Sequence, residues 1–165
     1  MVPDNVFGLP THPLVVHLAV VLLPVAALAA IAWAVVPRWR ARLRTPVIGL
    51  AVASAVVTWL TAEAGEKLRE RLPRSQAIAS HAELGDQMKV IAFGFMVVAV
   101  AGLLAEPVVR TRLSTSDGTR RLVAGGVATA VVAMSVIAVV WVVRTGDSGA
   151  RAVWTGTASS SSTSH

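Results

Sequence analysis

Four long apolar windows, separated by short stretches that hold most of the charged residues, dominate the chain. They predict membrane-spanning helices over about residues 14–36, 47–66, 84–105 and 122–143. The first and last windows match the ~20 residues that a helix needs to cross about 30 Å of hydrocarbon, and the middle two reach that length by including polar flanks. We therefore predict an all-α polytopic membrane protein, a four-helix antiparallel bundle.

The residues between the second and third windows keep a helical spacing even though they are polar. Leu60, Ala64 and Leu68 form an apolar stripe, and Ser75 is a suitable cap for the next helix. Because this pattern extends past the apolar windows, we predict that the second and third helices continue beyond the membrane as a projecting hairpin.

Glycine, proline and small residues predict where helices end and where they meet. A tight turn is predicted over 37–46, and Gly146 and Gly149 are predicted to stop the last helix. The transmembrane domain would then cover 1–154, and the Ser/Thr-rich residues 155–165 would form a disordered tail. Two rows of small residues are predicted to let helices pack closely. They are Gly49, Ala53 and Val57, and Gly125, Thr129 and Ala133.

The net charge of +6 and the pI near 11.5 come largely from basic residues in the loops, and we do not interpret them as a nucleic-acid-binding surface. Two arginine clusters occupy alternate loops, as the positive-inside rule produces. They are Arg38, Arg40, Arg42 and Arg44, and Arg110, Arg112, Arg120 and Arg121. This distribution predicts a multi-pass protein of the bacterial inner (cytoplasmic) membrane, with the lipid bilayer as its partner, both termini non-cytoplasmic and no nucleic-acid binding.

Three histidines should lie at the same rim of this bundle. His12 precedes Pro13 and so lies just outside the regular part of the first helix, His17 lies a little over one turn into that helix, and His81 belongs to the third. Neutral imidazoles from two helices can hold haem iron in a four-helix frame, so haem b is one candidate ligand. Glu63 and Asp147 would support these histidines from the second and fourth helices. Zinc or copper bound by the same histidines is an alternative, and helix capping by imidazoles at headgroup depth is the simplest one.

No catalytic residue is assigned, and we do not expect an enzyme. The chain has no cysteine and carries none of the hydrolase, metalloprotease or phosphate-loop motifs. Besides a His-lined site for haem or another redox ligand, two further functions fit the sequence. One is a structural or accessory subunit of a respiratory or redox membrane complex, and the other is a metal-binding membrane accessory protein.

The segment from Gly8 to His17, GLPTHPLVVH, resembles the G-x-P-x-H-P-x-x-V-H opening of a family of bacterial four-helix membrane domains of unknown function. Residues 63–66 and 81–86 resemble the hairpin of an actinobacterial-type branch, and residues 146–154 resemble the stretch that ends its last helix. The resemblance implies a four-helix membrane domain without an established activity. Some relatives are joined to Rieske-type iron-sulfur domains, which implies a redox neighbourhood, and other members carry His where Asp147 stands.

Overall fold

The chain folds into four helices, α1 (Thr11–Val35), α2 (Arg40–Arg69), α3 (Gln76–Arg112) and α4 (Asp117–Ser160). A computed structural model describes residues 5–6, 9–72, 75–112 and 116–160, with side chains for 15–72, 75–109 and 116–153. Two short antiparallel strands, Asn5–Val6 and Leu9–Pro10, precede α1. All four helices are long and apolar enough to cross a membrane, which confirms the predicted fold class.

Each helix packs mainly against two others, so that the order around the bundle is α1, α2, α3, α4, with α4 closing against α1. The interior is built mostly from alanines and a few large side chains that are fully buried. These are Leu23, Trp33, Phe95 and Leu103. Alanine lets helix backbones approach closely, and the large side chains fill the space that remains.

The connection between α1 and α2 is shorter than the predicted turn over 37–46. A 3-10 turn occupies only Pro37–Trp39, and α2 begins at Arg40 with Pro46 inside it. That part of the prediction was wrong because Pro46 is close to the start of the helix. Pro46 is the seventh residue of α2 and removes one backbone hydrogen bond, a local loss that the packing of the rest of the helix outweighs. The predicted cap of α3 is confirmed, since the backbone N–H of Ile78 donates to Ser75 Oγ at 3.2 Å.

The predicted helix stop at Gly146 and Gly149 is wrong, because α4 continues through both glycines to Ser160. A glycine costs a helix about 1 kcal/mol relative to alanine, which packing of the whole helix can outweigh. The first six residues of the predicted tail are therefore helical, and 161–165 lie outside the described residues. The division of the chain at residue 154 stays a prediction.

Of the two predicted rows of small residues, the one on α4 is exposed throughout, and the one on α2 is half-buried only at Ala53 and Val57. Gly49 and Gly125 are exposed, and a Cβ on either one would meet nothing within 4 Å. The close contacts between α3 and α4 lie elsewhere. A Cβ on Gly94 would lie 3.1 Å from Met134 Cε, and one on Gly102 would lie 3.0 Å from Val127 Cγ1. Glycines on α3 thus bring α4 close along one side of the bundle.

Candidate ligand site at one end of the bundle

The imidazole of His81, in the second turn of α3, is held against α4 by a hydrogen bond. Its Nδ1 lies 2.9 Å from Ser148 Oγ, and Ser148 Oγ donates to the Thr145 carbonyl at 2.8 Å. Because a serine hydroxyl has one proton, an Oγ that donates to the carbonyl accepts the Nδ1–H of His81. In this arrangement the lone pair of the neutral imidazole is on Nε2.

Gly149 makes room for this ring. A Cβ at position 149 would lie 2.9 Å from His81 Cε1 and 3.4 Å from both ring nitrogens. Any residue with a Cβ at position 149 would displace the imidazole or force the α4 backbone away from it. One turn earlier, Thr145 Oγ1 is buried with no hydrogen-bond partner among the described residues. The site therefore combines an oriented imidazole with a hydroxyl that could still accept or donate a hydrogen bond.

At the opposite end of the bundle, Arg40 ties α2 to two neighbouring helices. It donates to the carbonyls of Trp33 at 3.4 Å and Ala34 at 3.0 Å, which end α1. Its guanidinium also lies 5.4 Å from the Trp33 ring centroid and 4.0 Å from the carboxylate of Glu106 on α3. We call Arg40, Trp33 and Glu106 the arginine end, and His81, Ser148 and Gly149 the histidine end.

The three histidines predicted to bind the ligand differ in their distance from the arginine end, measured along the helices. At 1.5 Å of rise per residue, His81 is about 38 Å along α3 from Glu106, and His17 is about 26 Å along α1 from Ala34. His17 therefore lies about 12 Å nearer the bundle centre than His81, and its side chain is exposed.

His12 is closer in level to His81. It lies in the first turn of α1, about 33 Å from Ala34, so about 5 Å of rise separates it from His81. His12 and His17 are related by about 140° of rotation on the same helix. The sequence predicts that position 12 precedes the helix, but α1 begins at Thr11. The side chain of His12 lies outside the described residues.

The two carboxylates predicted to support the histidines are both exposed. Asp147 Oδ2 accepts from Arg151 Nε at 2.9 Å on its own helix. Glu63 lies on α2, which packs against α1 and α3. Within the described residues no three His, Asp or Glu side chains come together to hold a metal ion. A zinc or copper site at this end would therefore depend on His12.

Sequence reasoning did not identify Thr145, Ser148 and Gly149 as parts of the site. The signal was present, because these residues recur at i, i+3 and i+4 and therefore share one face of a helix. The predicted helix stop at the two glycines placed these residues outside a helix, so their helical spacing was not used. A second missed contact lies one to two turns nearer the bundle centre, where Trp141 Nε1 donates to Gln87 Oε1 at 3.2 Å.

Comparison with known sequences agrees with this architecture. A family described as a predicted membrane protein (DUF2231) matches residues 8–161, which include all four helices. Neither the curated proteins nor the solved structures contain a match to the chain. Because the match extends over most of the sequence, the chain belongs to the DUF2231 family of predicted membrane proteins.

Proposed function

We propose that this membrane protein binds a haem or another redox ligand through His81 at the histidine end. The observation that carries the proposal is the hydrogen bond between His81 Nδ1 and Ser148 Oγ at 2.9 Å. Histidines that ligate metals commonly donate the other ring N–H to a fixed acceptor, which selects the tautomer and orients the ring. Ser148, itself anchored to the Thr145 carbonyl, would supply that acceptor.

The shape of the bundle supports a ligand at its end rather than in its centre. The interior layers around Phe95 and Leu103 are fully buried and filled by side chains from all four helices. A planar macrocycle there would have to separate helices that pack through alanine and glycine. At the histidine end, His81 is only half-buried, so a ligand could approach it without repacking the core.

The second axial donor would come from α1. His12 is the better candidate because its level along the bundle is within about 5 Å of His81, whereas His17 is about 12 Å away. We therefore expect removal of His81 to abolish haem binding, removal of His12 to weaken it, and removal of His17 to change it least.

The test is a haemin titration of the detergent-purified protein, followed by its visible spectrum. Single His81→Ala, His12→Ala and His17→Ala variants are compared with His165→Ala, which removes an imidazole from the tail. A Soret band shift in the parent protein and in His165→Ala, lost in His81→Ala, supports the proposal. The absence of any spectral change in the folded parent protein would contradict it.

An accessory subunit of a membrane complex is the second candidate function, and one observation favours it. The row Gly125, Thr129 and Ala133 on α4 faces outward, where a helix of another protein could pack against it. Mild solubilisation from native membranes tests this idea. A stoichiometric companion that is lost in a Gly125→Leu variant supports it, and a chain that migrates alone in both cases counts against it.

A further inference from the structure

Three of the four helices are much longer than a bilayer requires. With 30, 37 and 44 residues, α2, α3 and α4 measure about 45, 56 and 66 Å, against about 30 Å of hydrocarbon. To fit α3 inside the hydrocarbon it would have to tilt by about 58°, beyond the 0–40° range of membrane helices. Parts of these helices must therefore stand outside the membrane.

Two exposed tryptophans, one just before α2 and one within it, are spaced as residues at the two membrane interfaces would be. Trp39, at the start of α2, is 42% exposed, and Trp59 on α2 is 54% exposed. They are separated by about 30 Å of helical rise, the thickness of the hydrocarbon layer. Tryptophan is enriched at both interfaces of a membrane because its ring is apolar and its N–H is polar.

Contacts between helices show which residues of α3 and α4 lie level with Trp39 and Trp59. Glu106, which pairs with Arg40 beside Trp39, is about 28 Å along α3 from Gln87. Gln87 accepts the indole N–H of Trp141, and Arg144 lies 4.7 Å from the centroid of the Trp141 ring. Gln87 and Trp141 therefore lie level with Trp59, at the membrane boundary nearer the histidine end.

The ends of three helices lie beyond this boundary. Measured from Trp59, Gln87 and Trp141, residues 60–69 of α2, 76–86 of α3 and 142–153 of α4 extend about 15–18 Å outside the hydrocarbon. His81 is about 9 Å and Ser148 about 10 Å beyond it. The surrounding surface carries three exposed carboxylates, those of Glu83, Asp86 and Asp147, beside the exposed Val143 and Val153.

From this placement we infer that residues 60–69, 76–86 and 142–153 form a three-helix platform in water. The histidine end lies inside this platform, so its ligand reaches it from the aqueous phase and not from within the hydrocarbon layer, where a lipid-soluble quinone would be. This inference rests on the proposed function only for the existence of the ligand. The placement of His81 outside the hydrocarbon stands by itself.

Because the chain has no cysteine, single-cysteine variants in lipid nanodiscs can test the placement directly. Val136→Cys and Val153→Cys form a matched pair, since both replace exposed valines of α4, one inside the proposed hydrocarbon boundary and one in the platform. A water-soluble maleimide should label Val153→Cys at least about tenfold faster, because an apolar environment suppresses the reactive thiolate. In denaturing detergent both should react alike.

A His81→Cys variant then tests whether reagents reach the site from water or from the lipid. We expect a charged thiosulfonate reagent to modify it at a rate within about threefold of Val153→Cys, since both thiols would be in contact with water. Equal labelling of Val136→Cys and Val153→Cys, or modification of His81→Cys by apolar reagents alone, would overturn the inference. A parent protein that fails to bind haemin refutes the proposed function but leaves these labelling results unchanged.

Discussion

The two ends of the bundle use polar side chains for different purposes. At the arginine end, one charged group donates to the last carbonyls of α1 and pairs with a carboxylate of α3. At the histidine end, a titratable ring is held by a neutral hydroxyl and a glycine. The first arrangement neutralises charge and satisfies a helix terminus, so it stabilises the fold. The second fixes the orientation of an imidazole, which is what a ligand site needs.

The largest effect should come from Arg40→Ala. It removes the donor to two carbonyls of α1 and the ion pair between Arg40 and Glu106, and we expect a loss of about 3 kcal/mol in the free energy of unfolding. Arg38→Ala is the matched control, because Arg38 is exposed and stacks only on Trp39 at 5.7 Å. It should cost less than about 1 kcal/mol. Equal losses of stability in detergent for both variants would show that the arginine end does not hold the helices together.

Next in size is Gly102→Ala, which places a Cβ 3.0 Å from Val127 Cγ1 and 3.2 Å from Val131 Cγ2. We expect a loss of about 1–2 kcal/mol, since the overpacking of α3 against α4 exceeds the gain in helix propensity. Gly125→Ala is the control, because its Cβ meets nothing within 4 Å. It should be neutral or stabilise the protein by up to about 1 kcal/mol. If Gly102→Ala were the more stable variant, the α3–α4 contact would not be tight.

Gly149→Ala should act on the histidine end itself. Its Cβ would collide with the His81 ring, so we expect a changed environment of the imidazole protons in NMR spectra and haemin affinity lowered by about tenfold, or about 1.4 kcal/mol. Gly146→Ala, three residues earlier in the same helix, adds a Cβ in open space and should leave both unchanged. Identical spectra and affinities for the two variants would contradict the role given to Gly149.

The smallest effect is expected for Asp147→Asn. Asp147 and Arg151 form an exposed pair on one helix, and such pairs contribute less than about 0.5 kcal/mol. Stability and haemin affinity should both stay within error of the parent protein. A clear loss of affinity would restore the supporting role that the sequence predicted for this carboxylate.

Several features of the fold could be predicted because they depend on local patterns. The apolar windows predicted four spans, and Ser75 was identified as the cap of α3 because capping involves residues only three positions apart. The row of small residues on α4 does not pack inside the bundle, for the opposite reason. Which face of a membrane helix turns inward is decided by its neighbours, since lipid is as apolar as the core and the sequence carries no polar face to mark the outer side.

The candidate site shows the same division. The sequence by itself determined that this chain has four helices long and apolar enough to span a membrane, because charge-free length is a property of the chain alone. Only the tertiary structure decided that His81 faces Ser148 and Gly149 on α4. These relations depend on the register of helices against one another, which packing sets and which no spacing within a single helix records.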